Sequence, residues 1–228
     1  MSSYDAWGPV YDAWASDMTE DVAFYLDLAR EAAEPIVELA VGSGRVAVPI
    51  ARETGKRVLG IDSSPAMLEL ARERSAGLPV ELREGDMRHF ELEEPVDLVI
   101  CPFRGLLHLA TWHDKRRVFE RVAAALRPGG RFAFNAFAFD PKVAAGNDGK
   151  TLDQHGVIHT VHHAPADNRI DIVRADGATL SLWWATKSEW DGLLDVAGLE
   201  TEAVYGWFDR RPLEDDSREF VWVARKPS

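Results

Sequence analysis

"PIVELAVGSGRVAVPIARETGKRVLGID", residues 35–62, decides the fold class of this chain. An apolar run at 36–41 is followed by the turn Gly42-Ser43-Gly44, by apolar residues at helical spacing, and by a second apolar run that ends at Asp62. This order predicts a strand, a glycine turn, a helix and a second, parallel strand. Glycines let the backbone approach a ligand closely, and the start of a helix offers free N–H groups. The stretch therefore predicts a ligand-binding loop in an α/β protein.

The same alternation of strands and helices continues to residue 137. A helix is predicted at 63–74 with Ser63 or Ser64 as its N-cap, strands at 78–86 and 95–103, an amphipathic helix at 111–130, and a fifth strand at 131–137. The strands are continuous apolar runs without alternation, which indicates a parallel sheet covered by helices on both faces.

The pattern changes after residue 139. Residues 140–156 are rich in Gly, Asp and Lys and predict a loop, and residues 157–186 contain three β-like runs joined by turn residues. We expect an antiparallel β insertion at about 140–187 that lies over the sheet, because about thirty residues cannot easily build a core of their own. A helix at 187–198 and strands at 199–208 and 219–225 complete one domain spanning 1–228.

Composition excludes several classes of protein. The formal net charge of -12 argues against nucleic acid as the main partner, since phosphate binding needs a basic surface. Cys101 is the single cysteine, which fits a reducing compartment, and no window approaches the roughly 18 apolar residues of a membrane span. We expect a soluble, cytoplasmic protein.

The glycine turn alone allows two ligands. "GSGRVA" (42–47) satisfies the dinucleotide fingerprint G-x-G-x-x-G/A, which favours a nicotinamide-dependent oxidoreductase. Asp62, twenty residues after Gly42, would hold ribose hydroxyls in this reading and in any other reading that places an adenosyl ligand here.

Four further motifs favour a different cofactor. Glu38 gives E-x-A-x-G-x-G over 38–44, "EGDM" (84–87) ends the third strand, "DLVICPF" (97–103) forms the fourth, and "LRPGGRF" (126–132) leads into the fifth. With Asp62, this order resembles the class I S-adenosylmethionine-dependent methyltransferases across about 34–139. The resemblance implies a Rossmann-like doubly wound sheet of seven strands, the last one antiparallel, here with an antiparallel β insertion.

The resemblance also implies the residues that hold S-adenosyl-L-methionine. In order along the chain they are Ala40, Gly42, Ser43 and Gly44 for the methionine part, Asp62 for the ribose hydroxyls, Ser63 and Met67 beside the adenine, Asp86 and the Met87 backbone N–H for the adenine edge, and Cys101, Pro102 and Phe103 under the sulfonium. Ala40 departs from the family pattern, which has glycine at this place.

His108, in "CPFRGLLHLATW", is the candidate general base. The pattern C-x-F…H-[LM] is similar to small-molecule N-methyltransferases, including those acting on amino sugars, whose histidine at this place is a proposed base. The alternative is a histidine that only packs or caps its loop. Because alignment of the reactants is worth more than acid–base catalysis in a methyl transfer, a base is not obligatory.

The N-terminal stretch "YDAWGPVYDAW" (4–14) repeats a tetrapeptide after seven residues. It belongs to a predicted lid helix at about 4–33, and similar N-methyltransferases carry a "YD" element that folds over the cofactor. We assign that role to Tyr11, a catalytic residue, with Trp14 closing the substrate side. Tyr4 and Trp7 are interpreted as an incidental echo or as lid packing, and the whole helix alternatively only covers the core.

Candidate acceptor-binding residues are Arg104, Trp184 and Trp207, besides Trp14. Arg104 suits a carboxylate or phosphate but is alternatively an ordinary surface arginine, and the tryptophans suit an aromatic or cationic small molecule. The histidines at 155, 159, 162 and 163 are interpreted as polar positions of a strand, and no metal site is predicted.

These observations predict an S-adenosylmethionine-dependent methyltransferase that acts on N or O of a small molecule, without nucleic-acid or membrane partners, as a monomer or homodimer. Two alternatives stay open at this point. One is the nicotinamide-dependent oxidoreductase, and the other is a protein that binds the cofactor without catalysis.

Overall fold

A computed structural model of the protein describes residues 3–15 and 19–228. In chain order its elements are α1 (Gly8–Trp14), α2 (Glu20–Glu31), β1 (Ile36–Leu39), α3 (Ala47–Thr54), β2 (Val58–Asp62), α4 (Pro65–Arg74), β3 (Val80–Glu84), β4 (Val96–Cys101), α5 (Trp112–Ala125), β5 (Leu126–Phe137), α6 (Pro141–Asn147), β6 (Thr151–Gln154), β7 (Val157–Ala164), β8 (Arg169–Arg174), β9 (Thr179–Trp183), α7 (Lys187–Val196), β10 (Glu200–Tyr205) and β11 (Glu219–Arg225). A short 3-10 turn, Gly105–His108, follows β4.

Local sequence explains where the helices of the main fold begin and end. Ser64, not Ser63, caps α4: its side chain accepts a hydrogen bond from the Met67 N–H, and Pro65 takes the first helical position. The helix predicted at 111–130 ends at Ala125 because Leu126 is already extended and Pro128 disfavours helical geometry at the residue before it.

Seven of the described strands form one mixed sheet in the order β10-β11-β5-β4-β1-β2-β3. Strands β1 to β5 pair in parallel, whereas β11 is antiparallel to both β5 and β10. The predicted sheet of seven strands with an antiparallel last strand is therefore confirmed. The strand order reverses between β1 and β4, so the loops that follow these two strands diverge and leave a crevice at their carboxyl ends.

The helices bury both faces of this sheet. Apolar side chains of α5 and α7 pack on one face, where the Trp190 ring stacks on Phe119 and the Trp222 ring on Phe134. Side chains of α2, α3 and α4 pack on the other face. The floor of the crevice is thus a sheet with an apolar layer on each side, which holds the loops at its edge in place.

The insertion contains a four-stranded antiparallel sheet in the order β6-β7-β8-β9. The loop predicted at 140–156 was wrong, because this stretch contains α6 and β6. Asp140 caps α6 by accepting hydrogen bonds from the N–H groups of Lys142 and Val143, and β6 is a short polar strand that pairs with β7. Neither feature has the apolar pattern by which strands and helices are recognised in sequence.

The N-terminal segment contains two helices, α1 and α2, where one helix at about 4–33 was predicted; residues 16–18 of that range lie outside the described residues. Trp7, just before α1, is fully buried against Val157, Ile172 and Leu180 of the insertion. The segment therefore joins the insertion to the main sheet. The assignment of 1–228 to one domain stays a prediction. Within the described ranges, no helix combines the length and the apolar content needed to cross a lipid bilayer.

Candidate active site

A cavity of about 290 Å³ lies at the carboxyl ends of β1, β2 and β4, in the crevice where the strand order reverses. This volume is at the lower end of the range for small-molecule sites, about 300–1,000 Å³. Of the residues predicted from sequence, those that line it are Tyr11, Ala40, Gly42, Asp62, Ser63, Met67, Asp86, Met87, Pro102, Phe103 and His108.

The turn after β1 is left-handed at Ala40 (φ 54°), Gly42 (φ 55°) and Gly44 (φ 79°). Left-handed backbone is costly for alanine, which explains why similar proteins have glycine at that place. The methyl group of Ala40 is accommodated because residue 105 has no side chain: a Cβ on Gly105 would lie 3.1 Å from the Ala40 Cβ and 2.8 Å from the Cys101 Sγ. Gly105 therefore compensates for the departure of Ala40 from the motif.

Asp62 is held at the cavity by the backbone. One carboxylate oxygen accepts a hydrogen bond from the Gly42 N–H at 2.8 Å, and the other accepts from the Ser64 N–H at 2.8 Å. Burial raises the pKa of Asp62, and these backbone donors oppose the rise. The Ser63 backbone N–H is a third donor to this carboxylate. A carboxylate has about four acceptor positions, so Asp62 keeps acceptor capacity for a hydroxyl group from the cavity.

Asp86 follows β3, next to β2 in the sheet, and the N–H of the preceding residue, Gly85, donates to the Asp62 carbonyl at 2.9 Å. The Asp86 carboxylate is paired with Arg88. The Arg88 Nη2 lies 2.5 Å from one Asp86 oxygen, and its Nη1 donates to Asp114 at 3.0 Å. The Arg88 guanidinium holds the pKa of Asp86 below its usual range. The carboxylate predicted to accept from the adenine amino group is therefore already bound by an arginine that sequence reasoning missed.

His108 contacts the N-terminal segment inside the cavity. Its Nε2 lies 2.8 Å from the Tyr4 hydroxyl, and its ring also hydrogen-bonds the Ser181 backbone in the insertion. Burial disfavours the imidazolium and lowers the pKa of His108 to about 4, whereas burial raises the pKa of Tyr4. With a neutral imidazole, the protonated Tyr4 hydroxyl donates and Nε2 accepts.

Tyr4 lines the cavity, so its interpretation as an incidental echo was wrong. The rings of Tyr4 and Tyr11 meet edge to face with centroids 5.7 Å apart. Tyr4 lies in a 3-10 turn, Ser3–Asp5, that precedes α1, so its position beside Tyr11 does not follow from the seven-residue offset within one helix. The reading of Trp7 as lid packing agrees with its burial against the insertion.

The N-terminal segment is tied to the rim of the cavity by two acids. Asp5 accepts a hydrogen bond from the Ser64 hydroxyl at 2.7 Å, and Asp12 accepts one from the Ser43 hydroxyl at 3.0 Å. Asp12 also pairs with Arg74 of α4. Residues 3–15 therefore cover the glycine turn and the first turn of α4.

Seven predicted site residues lie outside the cavity lining: Ser43, Gly44, Cys101, Trp14, Arg104, Trp184 and Trp207. Gly44 instead allows close packing of Val48, whose Cγ2 would lie 3.1 Å from a Cβ at 44. Cys101 is buried beneath Gly105, and its burial raises the pKa of the thiol.

The four predicted acceptor-binding residues have partners within the protein. Trp14 meets Phe103 edge to face, Arg104 pairs with Glu219, the Trp184 ring stacks on Phe139 at 4.1 Å, and Trp207 lies against Phe208. Two of these residues adjoin the lining: Trp14 contacts Phe103, and Arg104 lies between Phe103 and Gly105 in the chain.

The residues of the lining that sequence reasoning missed are Tyr4, Ile61, Gly85, Arg88, Gly105, Leu109, Ala110 and Asp114. Ile61, Gly85 and Arg88 adjoin predicted residues at strand ends, so this group could have been found by extending each motif by one position.

The histidines of the insertion do not converge. His159 is buried and its Nδ1 bonds the Val157 carbonyl, whereas His162 is exposed. In the part of the chain that the structure describes, no three His, Cys, Asp or Glu side chains group closely enough to hold a metal ion.

The cavity fits an adenosyl ligand. Its lining joins a backbone turn with no side chain at Gly42, the Asp62 carboxylate with acceptor capacity toward the cavity, and an apolar wall of Ile61, Met67 and Met87. This combination suits a sugar with neighbouring hydroxyls and a flat heterocycle.

Known proteins share this organisation. The sequence model described as "Methyltransferase domain" matches residues 36–130. The chain is 28% identical to the dTDP-4-amino-2,3,4,6-tetradeoxy-D-glucose N,N-dimethyltransferase of Saccharopolyspora spinosa, with 86% of each protein covered. It is 31% identical to an uncharacterised methyltransferase of Geobacillus kaustophilus, with 63% of this chain and 69% of that protein covered.

Solved structures extend the likeness. The CcbJ methyltransferase from Streptomyces caelestis superposes with a TM-score of 0.78 at 28% identity, covering 92% of this chain and 90% of that one. CalS10, an amino pentose methyltransferase from Micromonospora echinaspora solved with S-adenosylmethionine bound, superposes with a TM-score of 0.68 at 25% identity, covering 99% and 97%.

The family match, the relatives and the cofactor bound in a similar structure agree with the lining of the cavity, and the oxidoreductase reading of the glycine turn was wrong. The chain belongs to the class I S-adenosylmethionine-dependent methyltransferases, and S-adenosylmethionine is its methyl donor.

Proposed function

We propose that this enzyme methylates the nitrogen of an amine on a small molecule, and that the molecule is an amino sugar carried on a nucleotide. Two of the similar proteins support this acceptor class, since the S. spinosa and M. echinaspora enzymes are named for an amino sugar and an amino pentose. The alignment with the first of these covers 86% of this chain.

The state of His108 favours nitrogen over oxygen. A neutral amine has a lone pair ready to attack a methyl group, whereas an alcohol must lose its proton to become an effective nucleophile. With a pKa of about 4, His108 is too weak a base to remove the proton of an alcohol, but its Nε2 can accept a hydrogen bond and orient an N–H. In the structure the Tyr4 hydroxyl, 2.8 Å away, occupies this acceptor position, so the N–H of the acceptor would replace the Tyr4 hydroxyl when it binds.

The cofactor-binding roles expected from the sequence are part of this proposal. When bound, S-adenosylmethionine supplies a methyl group on a positively charged sulfur atom. Asp62 would hold the ribose hydroxyls and the turn at 40–44 the methionine part, with Met67 and Met87 against the adenine. Pro102 and Phe103 follow β4 at the place expected for the sulfur.

The N-terminal segment would close the site during transfer. Tyr4 and Tyr11 line the cavity, and burial raises the pKa of both hydroxyls and keeps them protonated, so the two rings would exclude water from the site. Alignment of reactants in a closed site is worth about 10⁵–10⁸ M in effective concentration, which exceeds what a general base adds. We therefore assign catalysis mainly to positioning.

The remaining expectations about partners stay predictions. The net charge of -12 makes nucleic acid a poor acceptor, because a protein that binds phosphates needs a basic surface. A monomer or homodimer in the cytoplasm is the expected state.

The acceptor class is tested by incubating the protein with S-adenosylmethionine and dTDP-4-amino-2,3,4,6-tetradeoxy-D-glucose, followed by mass spectrometry. The expected result is a mass gain of one or two methyl groups on the amino sugar. The matched control is the same sugar nucleotide with a hydroxyl in place of the 4-amino group, which we expect to stay unchanged. Methylation of the hydroxyl analogue would refute transfer to nitrogen, and no methylation of either would refute the amino-sugar class.

A further inference from the structure

The turn after β4 holds two consecutive residues in left-handed backbone. Phe103 has φ 49° and Arg104 has φ 63°, a conformation that is uncommon outside glycine. Such residues persist where the surrounding structure determines them, often at functional sites. Here the turn carries Phe103 and Gly105 into the cavity lining and leads directly into the 3-10 turn that ends at His108.

The Arg104 side chain explains how this turn is held. Its Nε and Nη2 donate to both carboxylate oxygens of Glu219 at 2.8–3.3 Å, across a sequence separation of 115 residues. The Glu219 side chain is completely buried, whereas the Arg104 side chain keeps 32% of its surface exposed. A bidentate pair of this kind fixes orientation as well as distance.

Glu219 is itself fixed by a buried polar chain. One of its oxygens accepts from the Asn135 Nδ2 at 2.6 Å, and the Asn135 amide oxygen accepts from the Tyr25 hydroxyl at 3.0 Å. These residues belong to β11, β5 and α2, so the turn is tied to the rigid part of the fold.

The Phe103 ring lies beneath the guanidinium of a different arginine, Arg45. The Arg45 guanidinium carbon lies 4.8 Å from the ring centroid, and Arg45 is held by the fully buried Asp21 through two hydrogen bonds of 2.6–2.7 Å. Two buried acids therefore set the position of Phe103, one through its backbone neighbour and one through its ring.

We propose that Glu219 is a positioning residue for methyl transfer: by holding Arg104 it keeps the turn at 102–105 left-handed and so places Phe103 and His108 in the cavity. Arg104 then acts on the site through the backbone and does not bind the acceptor. The proposal depends on the assignment of the cofactor site and is independent of whether the acceptor is an amine.

The first measurement is binding of S-adenosylhomocysteine to Glu219→Gln by calorimetry, with amide hydrogen exchange of the segment 102–109. We expect the dissociation constant to rise about tenfold, equivalent to about 1.4 kcal/mol, and exchange in this segment to quicken. The matched control is Asp97→Asn, which loses an arginine partner, Arg127, at the opposite end of β4. In that variant affinity and exchange at 102–109 should stay as in wild type at a similar melting temperature.

Two double variants distinguish the effect of the backbone conformation at residue 104 from the effect of losing a buried charge. Arg104→Asn/Glu219→Gln and Arg104→Val/Glu219→Gln lose the same charges, but asparagine adopts left-handed backbone far more readily than a β-branched residue. We expect the asparagine variant to bind S-adenosylhomocysteine nearly as wild type and the valine variant about tenfold more weakly. This comparison tests whether ligand binding depends on left-handed backbone at residue 104, even if Glu219→Gln alone does not fold.

Two results would overturn the proposal. One is wild-type affinity together with wild-type exchange at 102–109 in folded Glu219→Gln. The other is equal affinity of the two double variants. Neither readout uses the acceptor, so failure of the amino-sugar assignment would leave this test intact.

Discussion

The pKa of His108 determines whether this residue can deprotonate an acceptor or only orient it. Its imidazole lies between the Tyr4 hydroxyl and the Ser181 backbone, and burial lowers its pKa to about 4. At neutral pH the ring is therefore uncharged, and its Nε2 accepts a hydrogen bond from the Tyr4 hydroxyl. We therefore propose that His108 aligns a neutral nucleophile and contributes little as a base.

The buried state of His108 also predicts a dependence of stability on pH. An exposed histidine has a pKa of about 6.5, so between about pH 6.5 and pH 4 the unfolded protein binds a proton that the folded protein does not. The stabilising contribution is complete above pH 6.5 and is lost as the pH falls toward 4. We expect the difference in free energy of unfolding between His108→Asn and wild type to change by at most about 3 kcal/mol over this interval.

The measurement is urea unfolding of both proteins at several pH values between 4.5 and 7, read by tryptophan fluorescence. A difference that stays constant with pH would show that His108 titrates normally in the folded protein and would remove the argument for nitrogen over oxygen.

At the scale of elements, the segment 3–15 is anchored on the side of the insertion by the buried Trp7 ring and on the side of the glycine turn by polar contacts. Asp12 supplies two of these polar contacts, to Ser43 at the glycine turn and to Arg74 on α4, and both partners of the ion pair are more than a third exposed. Exposed ion pairs contribute about 0–1 kcal/mol and weaken with salt. We therefore expect the side of the segment at the glycine turn to be its weaker attachment and to control release of the cofactor.

Asp12→Asn should release S-adenosylhomocysteine faster than wild type, by a few-fold, because the ion pair with Arg74 is lost. Wild type should approach the rate of the variant as salt rises, since exposed charges are screened. Stopped-flow fluorescence of ligand release at low and high salt measures both effects. Asp27→Asn, which breaks the exposed pair with Arg30 on α2, is the control. Equal release rates for Asp12→Asn and wild type at low salt would contradict this role.

The strands and helices that were predicted correctly from the sequence are those whose apolar pattern reflects their burial. Strands β1, β2 and β4 read as apolar runs because helices cover both of their faces, and the helices α4, α5 and α7 have capping residues at their starts. Strand β6 was missed because it is short, polar and mostly exposed, and it becomes a strand only by pairing with β7.

Sequence patterns also explain why some residues of the candidate site were predicted and others were not. Residues at the ends of parallel strands, such as Asp62 and Asp86, were predictable because all carboxyl ends meet at one edge of the sheet. The contact between Tyr4 and His108 and the pair of Arg104 with Glu219 join residues more than a hundred positions apart. One sequence carries no signal for such contacts, which depend on how the finished elements pack.

At the scale of the whole molecule, three parts of the chain build one cavity. The main sheet supplies the turns after β1, β2 and β4, the N-terminal segment supplies Tyr4 and Tyr11, and the insertion supplies the backbone of Ser181 to His108. The acidic surface, with a net charge of -12, suits a small acceptor more than a nucleic acid. The methyltransferase domain model matches residues 36–130, which contain the turns after β1, β2 and β4. We propose that these turns hold the cofactor and that the acceptor binds near the N-terminal segment and the insertion.

The central claim is that the crevice after β1 and β2 binds the adenosyl sulfonium with its ribose on Asp62. A crystal structure of the complex with S-adenosylhomocysteine tests it most directly. We expect both ribose hydroxyls within hydrogen-bonding distance of the Asp62 carboxylate and the sulfur atom beside Phe103. Ligand density elsewhere, or a ribose held by other residues while Asp62 contacts only Gly42 and Ser64, would contradict the account.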